Sequence, residues 1–169
     1  RTVAEVLRSV RGLGVAYGRS YSYVGVRGFR RPSDYNSRVL VLVDGHRVNE
    51  NIFGSALIGR EFILDLDLVD RVEIVRGPTS SLYGSGAFFG VINVITRPAR
   101  DLRRAEASVE GGSWDSYKER FTLAGTLTNA GVDCVLSGSL FESGGADELY
   151  FREFDDPATN DGLAEHLDY

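Results

Sequence analysis

Two arginines share one local setting, Val26-Arg27-Gly28 and Val75-Arg76-Gly77, each at the end of an apolar run. Guanidinium groups held against apolar strands need carboxylates, because an unpaired buried charge is costly. Glu73 is one candidate partner within the chain, and carboxylates outside it are another. Two glycine clusters, Gly12/Gly14/Gly18 and Gly84/Gly86/Gly90, invite a phosphate-loop reading. Their spacing is one residue too long for the dinucleotide fingerprint, and neither joins a buried strand to a long helix, so tight turns explain them better. His46 beside Asp44 and the distant His166 do not supply the close ligands of a zinc site, and no G-x-S-x-G nucleophile elbow is present. Asp155, Asp156, Asn160 and Asp161 could approach calcium. Ala158 falls where an EF-hand loop needs its second oxygen ligand, and a solvated acidic loop is the better reading. No catalytic residue, metal or cofactor is assigned.

Bulk composition leaves the class open: 169 residues, 43% hydrophobic, 25% charged, with a net charge of −5. That sign argues against a nucleic-acid binder, which needs an excess of Lys and Arg on one face. The acidity is local. From Gly144 to Tyr169 eight acids face one base, a charge of −7, so the chain up to Ser143 carries +2. The single cysteine, Cys134, forms no internal disulfide and reads as a small packed hydrophobe. No apolar run of about 18 residues marks a membrane helix, a search that strands of a membrane barrel escape because they alternate. A chain with no Met that opens on a helix cap reads as a fragment of something longer.

The elements that would position these residues follow from pattern. Thr2-Val3-Ala4-Glu5 is a capping box, and Val3, Val6, Leu7 and Val10 share a face, which predicts a short helix over Thr2 to Val10 stopped by Gly12 and Gly14. A strand is expected over Tyr23 to Phe29, then a polar loop from Arg30 to Asn36. Arg38 to Val43 is too continuously apolar for a surface strand and should be buried on both faces. Asp44-Gly45 marks a hairpin returning through His46 to Asn49, and Asn51 to Gly59 reads as a loop. Further strands are predicted over Leu68 to Val75 and Val91 to Thr96, with a helical turn through Ser80 to Leu82 between them. Mixed strands and helices over about 100 residues give an α/β domain.

After Arg97 the period changes to two and stays there through three segments, about 104–111, 117–128 and 132–143. A tight link at Asn129-Ala130-Gly131 contrasts with the long acidic stretch 144–169. Short turns at one end and long loops at the other suit an outer-membrane barrel, while an ordinary antiparallel sheet with one wet face gives the same alternation.

Arg71 to Pro98 (RVEIVRGPTSSLYGSGAFFGVINVITRP) resembles the signature of the plug of TonB-dependent outer-membrane receptors, and Val24 to Phe29 and Val39 to Asn49 (VLVLVDGHRVN) match two earlier blocks in the right order. The opening helix and its following glycine also resemble the family's start. The resemblance implies a plug over 1–99 with a four-stranded mixed sheet and short helices, then in 100–169 the first antiparallel strands of a 22-stranded transmembrane barrel that encloses it. It implies a receptor in the outer membrane of a Gram-negative bacterium that gates uptake of a scarce nutrient such as a ferric siderophore, cobalamin or haem. A plug-like binding or signalling module without transport is the alternative. Family position places Arg19, Tyr21, Tyr23, Asn51 and Phe53 on apical loops that meet ligand, although the tyrosines could equally pack on the barrel wall. The same analogy pairs Arg27 and Arg76 with barrel glutamates as a lock, and puts the box that binds TonB upstream of Arg1. Made alone, the stretch from Ala105 onward is expected to be disordered, rearranged or exchanged between chains, since three strands leave open edges.

Overall fold

Five consecutive β-branched or leucine residues, Val39-Leu40-Val41-Leu42-Val43, need cover on both sides, and the fold supplies it. In the computed structural model, which describes residues 2–18, 21–29, 33–127 and 131–167, this strand lies inside a four-stranded mixed sheet. Numbering strands along the chain, β1 is Leu13–Tyr17, β2 Ser22–Val26, β3 Val39–Val43, β4 His46–Arg47, β5 Val69–Arg76 and β6 Gly90–Thr96. The sheet runs β4-β3-β6-β5, with β3 parallel to β6 and the other pairs antiparallel. Asp44-Gly45 makes the expected hairpin turn with both residues at positive φ, 48° and 81°, the combination of a type I′ turn. Asp44 does more than turn: its carboxylate accepts from the Thr96 N–H at 2.9 Å and the Thr96 hydroxyl at 2.7 Å, fixing the end of β6.

One face of this sheet carries Val39, Val41, Ile92 and Val94, and packs on helix α1 (Val3–Arg8) through Val3, Ala4 and Leu7, with Val24, Val26, Ala56 and Ile58 completing the core. The capping box is formed as expected, the Thr2 hydroxyl accepting from the Glu5 N–H and the Glu5 carboxylate from the Thr2 N–H, both at 3.3 Å. The other face buries Leu40, Leu42 and Val91 with Ala87, next to the four-residue helix α2 (Ser80–Tyr83).

Two sequence expectations are corrected here. Gly12, Gly14 and Gly18 are not one run of turns, because Leu13 to Tyr17 forms β1, paired antiparallel with β2 in its own two-stranded sheet. Leu13 and Val15 pack against the core, and Gly14 lies on the other side of the strand where a methyl group would meet nothing. Second, the β2 strand ends at Val26 rather than Phe29, since Arg27 (φ 53°) and Gly28 (φ 83°) turn the chain.

Residues 1–97 and 98–169 form two compact units. The second contains β7 (Ala105–Gly112), β8 (Ser116–Leu127) and β9 (Val132–Glu142), antiparallel in that order and in continuous register. They form a three-stranded sheet of their own. The turn between β7 and β8 is Trp114-Asp115, both at positive φ, and the Trp114 side chain is exposed. Residues after Ser143 depart from the expected loop: β10 (Ala146–Tyr150) and β11 (Leu163–Leu167) pair as a hairpin around 3-10 turns. Tyr150 anchors it by donating to an Asp155 carboxylate oxygen at 2.8 Å.

Candidate functional site

At one end of the four-stranded sheet, three stretches are tied together by two buried asparagines. Asn36 accepts from the Val24 N–H at 2.9 Å and donates to the Ser22 and Ala56 carbonyls at 2.8 and 2.9 Å. Asn49 accepts from the Val41 N–H at 2.7 Å and donates to the Val39 and Gly54 carbonyls at 3.0 and 2.8 Å. It takes over from β4 as the partner of β3 where β4 ends. Each side chain satisfies backbone groups that burial would otherwise orphan.

Tyr21 lies at the same junction. Its hydroxyl sits 2.7 Å from both the Tyr35 and Ala56 carbonyls and offers them one proton. Burial, reinforced by the negative charge of Glu61, pushes its phenol pKa upward, so it stays a neutral donor. The ring meets Tyr23 and Tyr35 at centroid distances of 5.1 Å each, within the range of favourable aromatic pairs. Tyr21 and Tyr23 are thus brought together, with Tyr21 serving as a strut. Tyr35, which completes the cluster, is absent from the sequence-based set because nothing in its polar loop distinguishes it.

Beyond this junction Asn51-Ile52-Phe53 forms a projecting tip. The Glu50 carboxylate holds it from below, accepting from the Ile52 N–H at 2.5 Å and the Phe53 N–H at 2.7 Å. Those two backbone donors lower the Glu50 pKa. Ile52 and Phe53 are 82% and 79% exposed, two large apolar side chains presented to the outside on a braced turn. Phe53 and Asn51 therefore sit where sequence placed them, on an exposed loop, and Ile52 joins them. Arg19 lies outside the described residues.

Arg27 and Arg76 converge on one turn. The Arg27 N–H donates to the Gly12 carbonyl at 2.7 Å, and Arg76 Nη1 donates to the Arg11 carbonyl at 2.6 Å. Both arginine residues are exposed, and among the described residues neither has a carboxylate partner. Glu73, offered above as a partner, pairs with Arg71 at 2.9 Å instead. Strand parity explains this: three residues from Arg76, Glu73 points to the opposite face of β5.

In the second unit the cross-strand register puts Leu123 opposite Leu136 and Leu127 opposite Val132, and the same face carries Val109, Phe121 and Leu140. All are exposed. The face turns polar at one end, where Tyr117 donates to Glu142. The reverse face is polar inside itself: buried Arg120 lies 3.5 Å from Glu106 and donates to Thr122 at 2.8 Å, and Thr122 bonds Ser137 at 2.8 Å. Ala99 to Asp101 packs on β8 and β9. Cys134 lies on the apolar face and is exposed, not packed as expected.

A sheet that exposes its large apolar side chains on one face and buries Arg120 and Thr122 on the other inverts the water-soluble pattern, and marks the wall of a membrane barrel. The same chain carries an α/β unit of the plug kind. Residues 1–91 match the model of the TonB-dependent Receptor Plug Domain, and the chain belongs to that family, one of outer-membrane receptors without catalysis. It is 37% identical over 152 residues to the vitamin B12 transporter BtuB of Vibrio vulnificus, covering 87% of this chain and 23% of that protein. With the iron-regulated outer membrane virulence protein of Vibrio cholerae it shares 34% over 143 residues, 77% and 21% of the two chains. The pyoverdine outer membrane receptor FpvA of Pseudomonas aeruginosa superposes with a TM-score of 0.61 at 25% identity, covering 87% of this chain and 20% of that one. The chain thus spans between a fifth and a quarter of the length of the relatives it matches.

Proposed function

We propose that this chain is the plug and leading wall of an outer-membrane receptor that binds a scarce nutrient outside the cell and admits it by TonB-driven movement of the plug. The observation that carries this reading is the inverted sheet β7-β8-β9 in one chain with the plug unit, since a soluble plug-like module has no use for an exposed apolar wall. Relatives named for vitamin B12 and pyoverdine support a ligand of the cobalamin or ferric-siderophore kind. The braced tip Asn51-Ile52-Phe53 and the Tyr21/Tyr23/Tyr35 cluster suit a bulky ligand with both apolar and hydrogen-bonding surface. A wall of 22 strands, a TonB-binding box upstream of Arg1 and a lock in which Arg27 and Arg76 meet barrel glutamates complete the proposal. The test is uptake of labelled cobalamin and ferric siderophores by cells carrying the full-length gene as their only such receptor. Uptake that vanishes without TonB supports it, whereas an outer-membrane protein that binds but never imports would favour a signalling module. For the lock, Arg27→Ala should weaken retention of the plug and admit large antibiotics; unchanged uptake and unchanged resistance would remove that part.

A further inference from the structure

Arg47 is the last residue of β4 and lines a cavity of about 540 Å³ over the second face of the plug sheet, floored by Leu40, Leu42 and Val91. Its guanidinium rests against two glycines. A methyl group on Gly86 would come 3.5 Å from Arg47 Nη2, and one on Gly54 3.8 Å from it. Both glycines are at positive φ, 95° and 68°, so two left-handed turns bring the backbone alongside this cation at ordinary contact distance. Among the described residues Arg47 has no hydrogen bond or ion pair. The nearby acid is already engaged, Glu73 being bonded to Arg71 at 2.9 Å and approached by Asn93 at 3.5 Å. Above the floor, Leu82 is 83% exposed and Val75 and Tyr83 are exposed too, an apolar rim uncovered among the described residues of the first unit.

We infer that this cavity receives an acidic side chain flanked by aliphatic ones from the receptor's own later strands, with Arg47 binding the carboxylate. The inference rests on the receptor reading above and adds an anchor separate from Arg27 and Arg76. Three features select that occupant. The cation lacks an anion, and a planar guanidinium takes a carboxylate bidentately. The apolar rim needs cover that water does not give. The relatives carry roughly four-fifths of their length outside the matched region, ample chain to provide both.

Phenylglyoxal, which modifies accessible arginines, tests this directly. Arg47 should react readily in the 169-residue chain and about tenfold more slowly in the full-length receptor. In that receptor Arg47→Glu should raise permeability to a large antibiotic, and replacing one acidic wall residue by Arg should reverse the leak in the Arg47→Glu background alone. An inserted, ligand-importing receptor in which Arg47 stays as reactive as in the short chain, or in which Arg47→Gln behaves as wild type, overturns the inference and leaves the receptor reading standing. Protection of Arg47 by free octanoate, with none from the receptor's own chain, overturns it in favour of a soluble carboxylate. Failure of the wild-type protein to reach the outer membrane would instead sink the receptor reading itself.

Discussion

The two sheets of this chain solve opposite problems. Strand β3 in the first unit buries Val39, Leu40, Val41 and Leu42 in succession, and the backbone groups around it are satisfied by neighbouring strands and by Asn36 and Asn49. Strand β8 in the second unit alternates instead, with Phe121 and Leu123 exposed on either side of buried Thr122. One sheet carries its core within itself; the other puts its apolar residues where a solvent other than water must meet them. The same residue types therefore have different worth in the two places.

That contrast can be broken most sharply at Leu7, fully buried under the plug sheet. Leu7→Ala should cost about 3 kcal/mol of stability, the usual loss for a leucine whose site cannot collapse, measured by denaturant unfolding of the first unit. A cost below about 1 kcal/mol would mean the core is looser than it looks. Leu136, 70% exposed on the apolar face, should behave in reverse. In the membrane-inserted receptor Leu136→Arg should cost about 2–4 kcal/mol if it lies near the midplane, while in aqueous solution the same change should stay within about 0.5 kcal/mol. Equal effects in both media would refute the lipid-facing assignment. Asn36→Ala would strand the Val24 N–H and two carbonyls, and a loss of about 2 kcal/mol is expected. Thr2→Ala should remove the α1 cap for about 1 kcal/mol, read from the same unfolding curves.

The smallest effect is one of pH. Glu50 is held below the ordinary carboxylate value by the Phe53 and Ile52 N–H groups. A group with a depressed folded pKa contributes fully above its unfolded value and loses that contribution as pH falls through the folded one. The Ile52 and Phe53 amides should thus be protected from hydrogen exchange at neutral pH and lose protection in acid below the usual carboxylate range, while Glu50→Gln flattens the profile. Retained protection through that window would show that the tip is braced by something else.

Much of this arrangement is legible in the sequence because local chemistry and fold agree. The Thr2/Glu5 box, the Asp44-Gly45 turn, the doubly buried β3 and the period-two strands follow from residue type and spacing alone. Strand β1 is missed because Gly14 within it and Gly12 and Gly18 beside it outweigh its four apolar residues in a single-sequence reading, whereas pairing with β2 decides the outcome. The hairpin after Ser143 is missed for a similar reason, its acidic strands being paired to each other over a distance that local pattern does not report. Tyr35, Ile52 and Arg47 become visible only when loops distant in sequence are brought together. Arg27 and Arg76 show the mixed case: their shared motif marks them, while their meeting at Arg11-Gly12 is a tertiary fact.

The exposed turn Trp114-Asp115 also fixes how the molecule can be watched. It holds the chain's only tryptophan, and that residue belongs to the second unit. Indole fluorescence excited at long wavelength will follow the arrival of the wall strands in lipid or detergent and stay dark to events in the plug. Tyrosines 21, 23 and 35 crowd at the plug's loop end, but Tyr117 and Tyr150 belong to the second unit, so tyrosine emission reports on both. The wall strands of this chain can therefore be followed without any label.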